Sequence, residues 1–118
     1  MSRVRMITQV IVHDYDGAID VFSRAAAVVE DGLPNVLAWD IFVDEGHEHA
    51  IMYEEFTDEN ALSEYEAKLI GLGYRDELRK YVELDNILVL GPVSDPEVLR
   101  QLGEFGATFA RHVVGAQH

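Results

Sequence analysis

The chain of 118 residues contains no cysteine. That excludes disulfides, thiolate nucleophiles and zinc sites built on cysteine. Small secreted domains are commonly stapled by disulfides, so a chain without them is expected in the reducing cytoplasm. Positive charge is scarce: nine Lys and Arg stand against 22 Asp and Glu, a formal net charge of −13. Nucleic acid is not an expected partner, because phosphate contacts need clustered cations. An anionic membrane surface would repel the chain for the same reason. No apolar run approaches the roughly 18–20 residues of a transmembrane helix. Val10-Ile11-Val12 passes at once into His13-Asp14-Tyr15-Asp16, too short a stretch for a secretion signal. A glycine-rich phosphate loop, a Gly-x-Ser-x-Gly elbow and a dinucleotide fingerprint are all missing, so no cofactor is expected. There is no linker, low-complexity segment or compelling repeat.

What is present suits a packed domain. Hydrophobic residues make up 48% and charged residues 26%, a globular balance rather than that of a disordered acidic chain. Residues 3–13 are β-branched and apolar enough for a strand, with Val4, Met6, Thr8, Val10 and Val12 on one face. On the other face lie Arg5, Ile7, Gln9, Ile11 and His13. Asp16 offers an N-cap for a helix carrying Ile19, Phe22, Ala26 and Val29 and closing at about Gly32. Residues 35–44 form a second strand, with Leu37, Trp39, Ile41 and Val43 on its apolar face. A hairpin at residues 45–48 leads to a third strand over 49–56. Thr57 or Asp58 caps a second helix with Leu62, Tyr65 and Leu69 on its inner stripe, and Gly71 and Gly73 interrupt it. A helical piece from Tyr74 to about Val82 precedes a fourth strand over 84–91. Ser94-Asp95-Pro96-Glu97 is a capping box with proline at the helix start. That helix runs to about Leu102, and Ala107 to Val114 suits a short fifth strand. The last residues, Ala116-Gln117-His118, are expected to fray.

The order β-α-β-β-α-β predicts an α+β fold of ferredoxin-like type: an antiparallel sheet with two helices on one face, spanning residues 1–91. Residues 92–118 form a C-terminal helix-strand extension of the same domain. The strands are apolar on both faces, since Ile7, Ile11, Ile51, Leu88 and Leu90 share strands with Val4, Val10, Met52, Ile87 and Val89. Two helices cover one face only. The other would leave an apolar patch of several hundred Å² in water, so a homodimer through the sheet faces is expected.

Two segments carry a resemblance. Leu33-Pro34-Asn35-Val36-Leu37-Ala38-Trp39-Asp40-Ile41-Phe42 and Met52-Tyr53-Glu54-Glu55-Phe56-Thr57-Asp58-Glu59-Asn60-Ala61-Leu62 resemble the antibiotic-biosynthesis-monooxygenase-like proteins of the dimeric α+β-barrel superfamily. Val89-Leu90-Gly91-Pro92-Val93-Ser94 is similar to members with a C-terminal extension. The resemblance covers most of residues 1–91 and implies a dimeric α+β barrel. It also implies cofactor-independent monooxygenation of a small quinol or phenolic aromatic. The alternative is a non-catalytic small-molecule-binding or dimeric interaction module of the same fold. The haem-degrading branch of the family has a Trp and a His in the region where Tyr65 and Leu78 stand here. Leu78 has no lone pair to give to iron, so haem is not expected.

The pocket candidates are Gln9, His13, Trp39, Tyr53 and Tyr65. Trp39 is either a core residue or a flat wall for an aromatic ring, and Tyr53 and Tyr65 share that alternative. Gln9 and His13 are polar groups on an otherwise apolar face. At the strand end His13 is either solvated or placed to take a phenolic proton. Adjacent Glu54 and Glu55 must point to opposite faces, and the inward one needs a partner such as Arg3 or Arg5. His47-Glu48-His49 lacks a third histidine, and no metal is expected. Tyr65→Phe is expected to weaken binding of a phenol while leaving stability nearly unchanged.

Overall fold

Alternation along the first strand sets the layering. In a computed structural model, which describes residues 2–116, β1 (Val4–Val12) buries Val4, Met6, Thr8 and Val10 and leaves the intervening side chains more exposed. β1 is flanked by β3 (His49–Phe56) and β4 (Val82–Leu90), both antiparallel to it. β2 (Val36–Val43) pairs with β3, and the short β5 (Thr108–Ala110) lies parallel to β4. The sheet order is β2-β3-β1-β4-β5. The fold is thus ferredoxin-like α+β with a fifth strand added at one edge. Gln117 and His118, part of the tail expected to fray, lie outside the described residues.

The helices cover the even-numbered face of β1. α1 (Tyr15–Gly32) buries Ala18, Val21, Phe22, Ala25 and Val29, the spacing of one helical stripe. Its N-cap is Asp14 rather than Asp16. Asp14 has the extended backbone of a cap and accepts from the Gly17 amide at 3.0 Å. Asp16 instead lies in the first turn, where a negative charge favours the helix dipole. α2 (Glu59–Gly71) is capped by Asp58, which accepts from the Ala61 amide, and buries Leu62 and Tyr65. α3 (Tyr74–Leu78) stops short of Val82, because Val82 joins the sheet opposite Val12. α4 (Pro96–Glu104) starts at Asp95, whose carboxylate accepts from the Glu97 amide at 2.9 Å.

Leu37 departs from its expected face. The register of β2 against β3 slips between Val36 and Ala38, so Val36 and Trp39 both turn inward and Leu37 is left 45% exposed. Such a bulge inserts one residue and reverses the alternation behind it. Gly91 needs its missing side chain, since φ is +117° and a Cβ would stand 2.5 Å from the Arg3 carbonyl oxygen. The buried side chains form two clusters between sheet and helices. The larger centres on Val4, Phe56, Leu62 and Val89 and takes in Val98 and Leu102 of α4. The smaller contains Val10, Ala18, Phe22, Ala50 and Val82.

Candidate functional site

The two clusters do not fill the space between sheet and helices. A cavity of 590 Å³ remains, lined by members of both, among them Met6 and Leu102 of the one and Val10 and Phe22 of the other. Its floor is set by strand register. Glu54 of β3 pairs with Met6 on one side and Trp39 on the other, so all three side chains project from one row of the sheet. α2 supplies Tyr65 and Glu66, α3 supplies Tyr74, Arg75 and Leu78, and Phe105 closes the space after α4. The C-terminal extension therefore contributes two walls, Leu102 and Phe105.

Glu54 is the chemically unusual member. It is 1% exposed, and neither carboxyl oxygen has a hydrogen-bond partner. Burial pushes its pKa up to about 7. The nearby Tyr65 hydroxyl and the Arg75 charge hold it from rising further, although no hydrogen bond of good geometry reaches the carboxyl group. Tyr65 is equally enclosed. Its oxygen accepts from the Trp39 indole Nε1 at 2.9 Å, and its ring packs on Phe56 at 5.3 Å. Burial first, and the Glu54 charge second, push the Tyr65 phenol well above its usual range, so it stays a neutral donor. With its oxygen accepting from Trp39, its hydrogen is left to face the Glu54 side. Behind these groups Glu66 is buried and paired with Arg75.

The sequence candidates divide between the two faces of the sheet. Trp39 and Tyr65 line the cavity and bond to each other. His13 stands at the rim, largely exposed, with Nε2 3.5 Å from Glu83. Gln9 and Tyr53 lie on the opposite face, away from the cavity. Helices pack on the side of Thr8 and Met52, and one residue along a strand reverses the direction. Tyr53 donates to Glu55 at 3.4 Å, and Glu55 meets Arg3 at 2.8 Å and Arg5 at 3.6 Å. The arginines expected to neutralise the inward carboxylate thus serve the outward one, and Glu54 is left without them. His47 stacks on Tyr15 and His49 pairs with Asp44 at 3.1 Å. Among the described residues no three His, Asp or Glu side chains converge to hold a metal ion.

Solved structures share this architecture. MupZ from Pseudomonas fluorescens superposes with a TM-score of 0.77 at 12% identity, covering 100% of this chain and 96% of that one. SnoaB from Streptomyces nogalater, a cofactor-independent oxygenase, gives 0.67 at 16% identity over 81% of this chain and 98% of that one. A candidate antibiotic biosynthesis monooxygenase from Caulobacter crescentus CB15 gives 0.64 at 14% identity, covering 77% and 91%. No family model matches the sequence, and neither does any curated protein. The chain has the antibiotic-biosynthesis-monooxygenase-like fold. At such identities the likeness extends to the fold alone, and the chemistry of this fold's cavity has to be argued from its own side chains.

Sequence reasoning missed Glu54 as a member of this cavity. The available signal was its place between Met52 and Phe56 on an inward-facing row. Arg75 was missed too, because a five-residue helix carries too little periodicity to show a face, and so was Glu66, which stands beside Tyr65 on α2 but off the apolar stripe of Leu62, Tyr65 and Leu69. The Trp39 bond also changes the expectation for Tyr65. Tyr65→Phe strips the indole N–H of its acceptor, so stability should fall by about 0.5–1.5 kcal/mol rather than hold. Thermal unfolding against wild type measures this, and an unchanged midpoint would mean that the bond contributes nothing.

Proposed function

We propose that this protein is a cofactor-independent monooxygenase acting on a small quinol or phenolic aromatic held in the cavity between sheet and helices. One observation carries the reading: an unpartnered carboxyl group, with a pKa of about 7, buried at the floor of an otherwise largely apolar cavity. A base poised near neutrality is suited to taking a phenolic proton. Trp39, Phe22 and Met52 offer flat or adaptable apolar walls for a ring. Tyr65 is placed to donate a hydrogen bond to the substrate oxygen.

The chemistry closes without an outside reductant. Glu54 takes the phenolic proton, and the resulting phenolate passes an electron to molecular oxygen. Recombination forms a bond between oxygen and a ring carbon that bears hydrogen, para to the ionised hydroxyl in a phenol and ortho to it in a quinol, and Glu54 returns its proton to the distal oxygen. Loss of that C–H proton with cleavage of the O–O bond gives a quinone, or a hydroxyquinone from a quinol, and hydroxide, which together with that proton is water. The substrate supplies all four electrons. The apolar walls around the ring would keep water from the anion. The test is oxygen uptake by the purified protein with a panel of naphthols and quinols. One oxygen consumed per quinone formed, without added reductant and with no hydrogen peroxide released, is the expected result. Saturable binding with no oxygen uptake across the panel would favour the binding module instead.

The same reading includes a homodimer through the open sheet face. Ile7, Ile11, Phe42, Ile51 and Leu88 share that face, Phe42 being 59% exposed and directly paired with Ile51. A second copy laid across it would bury the more than about 1,000 Å² that a stable interface needs. Ile51→Asp places a charge in the middle of this face and should give a monomer by light scattering where wild type gives a dimer. A monomeric wild type at micromolar concentration would refute the dimer.

A further inference from the structure

In a chain with net charge −13, two guanidinium groups converge on the cavity. Arg75 and Arg79 lie one helical turn apart, joined by the Arg79 amide bonding to the Arg75 carbonyl at 3.2 Å, and both line the space. Both also sit on the Phe105 ring, with guanidinium carbons 5.1 and 5.2 Å from its centroid. Their acid partners differ. Arg75 is paired with the buried Glu66. Arg79 has only the exposed Asp76 at 3.8 Å, and among the described residues its side chain donates no hydrogen bond. The remaining acids of the wall are otherwise occupied: Glu83 faces His13, and Glu54 keeps its proton below about pH 7. Two like charges over one ring repel, as the lowering of the Arg75 pKa by burial and then by Arg79 reflects. An anion between them and the cavity would relieve that repulsion.

We propose that the substrate carries a carboxylate, bound at the cavity rim by Arg79 beside Arg75, at the end of the molecule away from the group that meets Glu54. This rests on the reading of the cavity as an aromatic-substrate site and adds its specificity determinant. Arg79 is suited to the role because its fork of donors matches a carboxylate and the Phe105 ring holds it flat. A neutral quinol would leave it unused.

The experiment compares 6-hydroxy-2-naphthoate with its methyl ester by calorimetric titration below pH 7, with quenching of Trp39, the sole tryptophan, reporting entry into the cavity. Wild type should bind the acid about tenfold or more tightly than the ester, as a charge-assisted hydrogen bond implies. Arg79→Gln should weaken acid binding about tenfold or more and ester binding much less, so that the preference is lost. Equal affinity for acid and ester in wild type overturns the carboxylate inference while leaving the aromatic cavity intact. An acid preference that survives in Arg79→Gln overturns the assignment to Arg79. If neither compound binds, the inference fails and the aromatic-substrate reading fails with it.

Discussion

Glu54→Gln should flatten the stability of the protein against pH and sharply reduce the oxygen uptake proposed for it. In the folded chain the Glu54 carboxyl holds its proton to about pH 7, whereas the unfolded chain releases it near 4.5. Below 4.5 both states are protonated and Glu54 adds no pH dependence. Between 4.5 and 7 the unfolded chain sheds the proton first, so stability falls as pH rises. Above 7 the whole loss is present, roughly 3 kcal/mol at about 1.4 kcal/mol for each tenfold change in proton affinity. The glutamine variant keeps the shape and cannot ionise, so this slope disappears. Glu59 and Asp44, held below their usual range chiefly by backbone hydrogen bonds, act at lower pH and are present in both proteins. The difference between the two stability curves therefore isolates Glu54. Denaturant unfolding across this range measures it, and parallel curves would show that the carboxyl is not held neutral. As a lost general base, the same substitution should reduce oxygen uptake by about 10²–10⁴-fold. Wild-type uptake should rise with pH through about 7 as the carboxylate forms. A Glu54→Gln protein with full turnover would remove Glu54 from the mechanism.

Phe56→Ala should be the most damaging single truncation in the core. Phe56 is 0% exposed, lies opposite Val4 on one side and Val36 on the other, and packs its ring on Tyr65. Removing a buried ring loses transfer free energy and opens a void, together about 3–5 kcal/mol. A domain of this size has only about 5–15 kcal/mol in hand. The expected fall in thermal midpoint is on the order of 10–20 °C. Because Phe56 supports Tyr65 from behind, the damage should reach the cavity as well. Phe56→Leu keeps most of the volume and should cost about 1.5 kcal/mol or less. Ile70→Ala, at a position 44% exposed, should change stability by no more than about 0.5 kcal/mol. Circular dichroism melts of the three variants test the ranking. A Phe56→Ala midpoint matching that of Ile70→Ala would contradict the placement of Phe56 at the centre of the core.

Much of the fold was legible because local chemistry sets it. The period of two in Val4, Met6, Thr8 and Val10 made a strand with a defined inner face whatever its neighbours were. Asp58 started its helix where capping chemistry places it, whereas the cap of α4 moved one residue from the Ser94 of the expected capping box to Asp95, because the Ser94 amide and hydroxyl are bonded to Glu59. Leu62, Tyr65 and Leu69 lay on one stripe because a helix turns by a fixed angle per residue. The bulge at Leu37 was not legible, since it arises only when β2 is laid against β3. Nor was the N-cap at Asp14, because two aspartates stood within reach of the helix start and the path of the chain out of β1 chose between them.

For the site, adjacency required Glu54 and Glu55 to face opposite ways, but the choice of the inward one was tertiary. So was the fate of Arg3 and Arg5. Antiparallel pairing of β1 with β3 brings both arginines to Glu55 on the open face, and that leaves Glu54 enclosed without a counter-charge. Gln9 and Tyr53 were separated from Trp39 and Tyr65 by the same cause: alternation sorts residues into two faces, and only the side taken by the helices makes one of them the interior. Arg75 comes from a five-residue helix, Arg79 from the residue that caps it, and Phe105 from the residue after α4. No local pattern links them, and they meet because both segments fold over the same edge of the cavity.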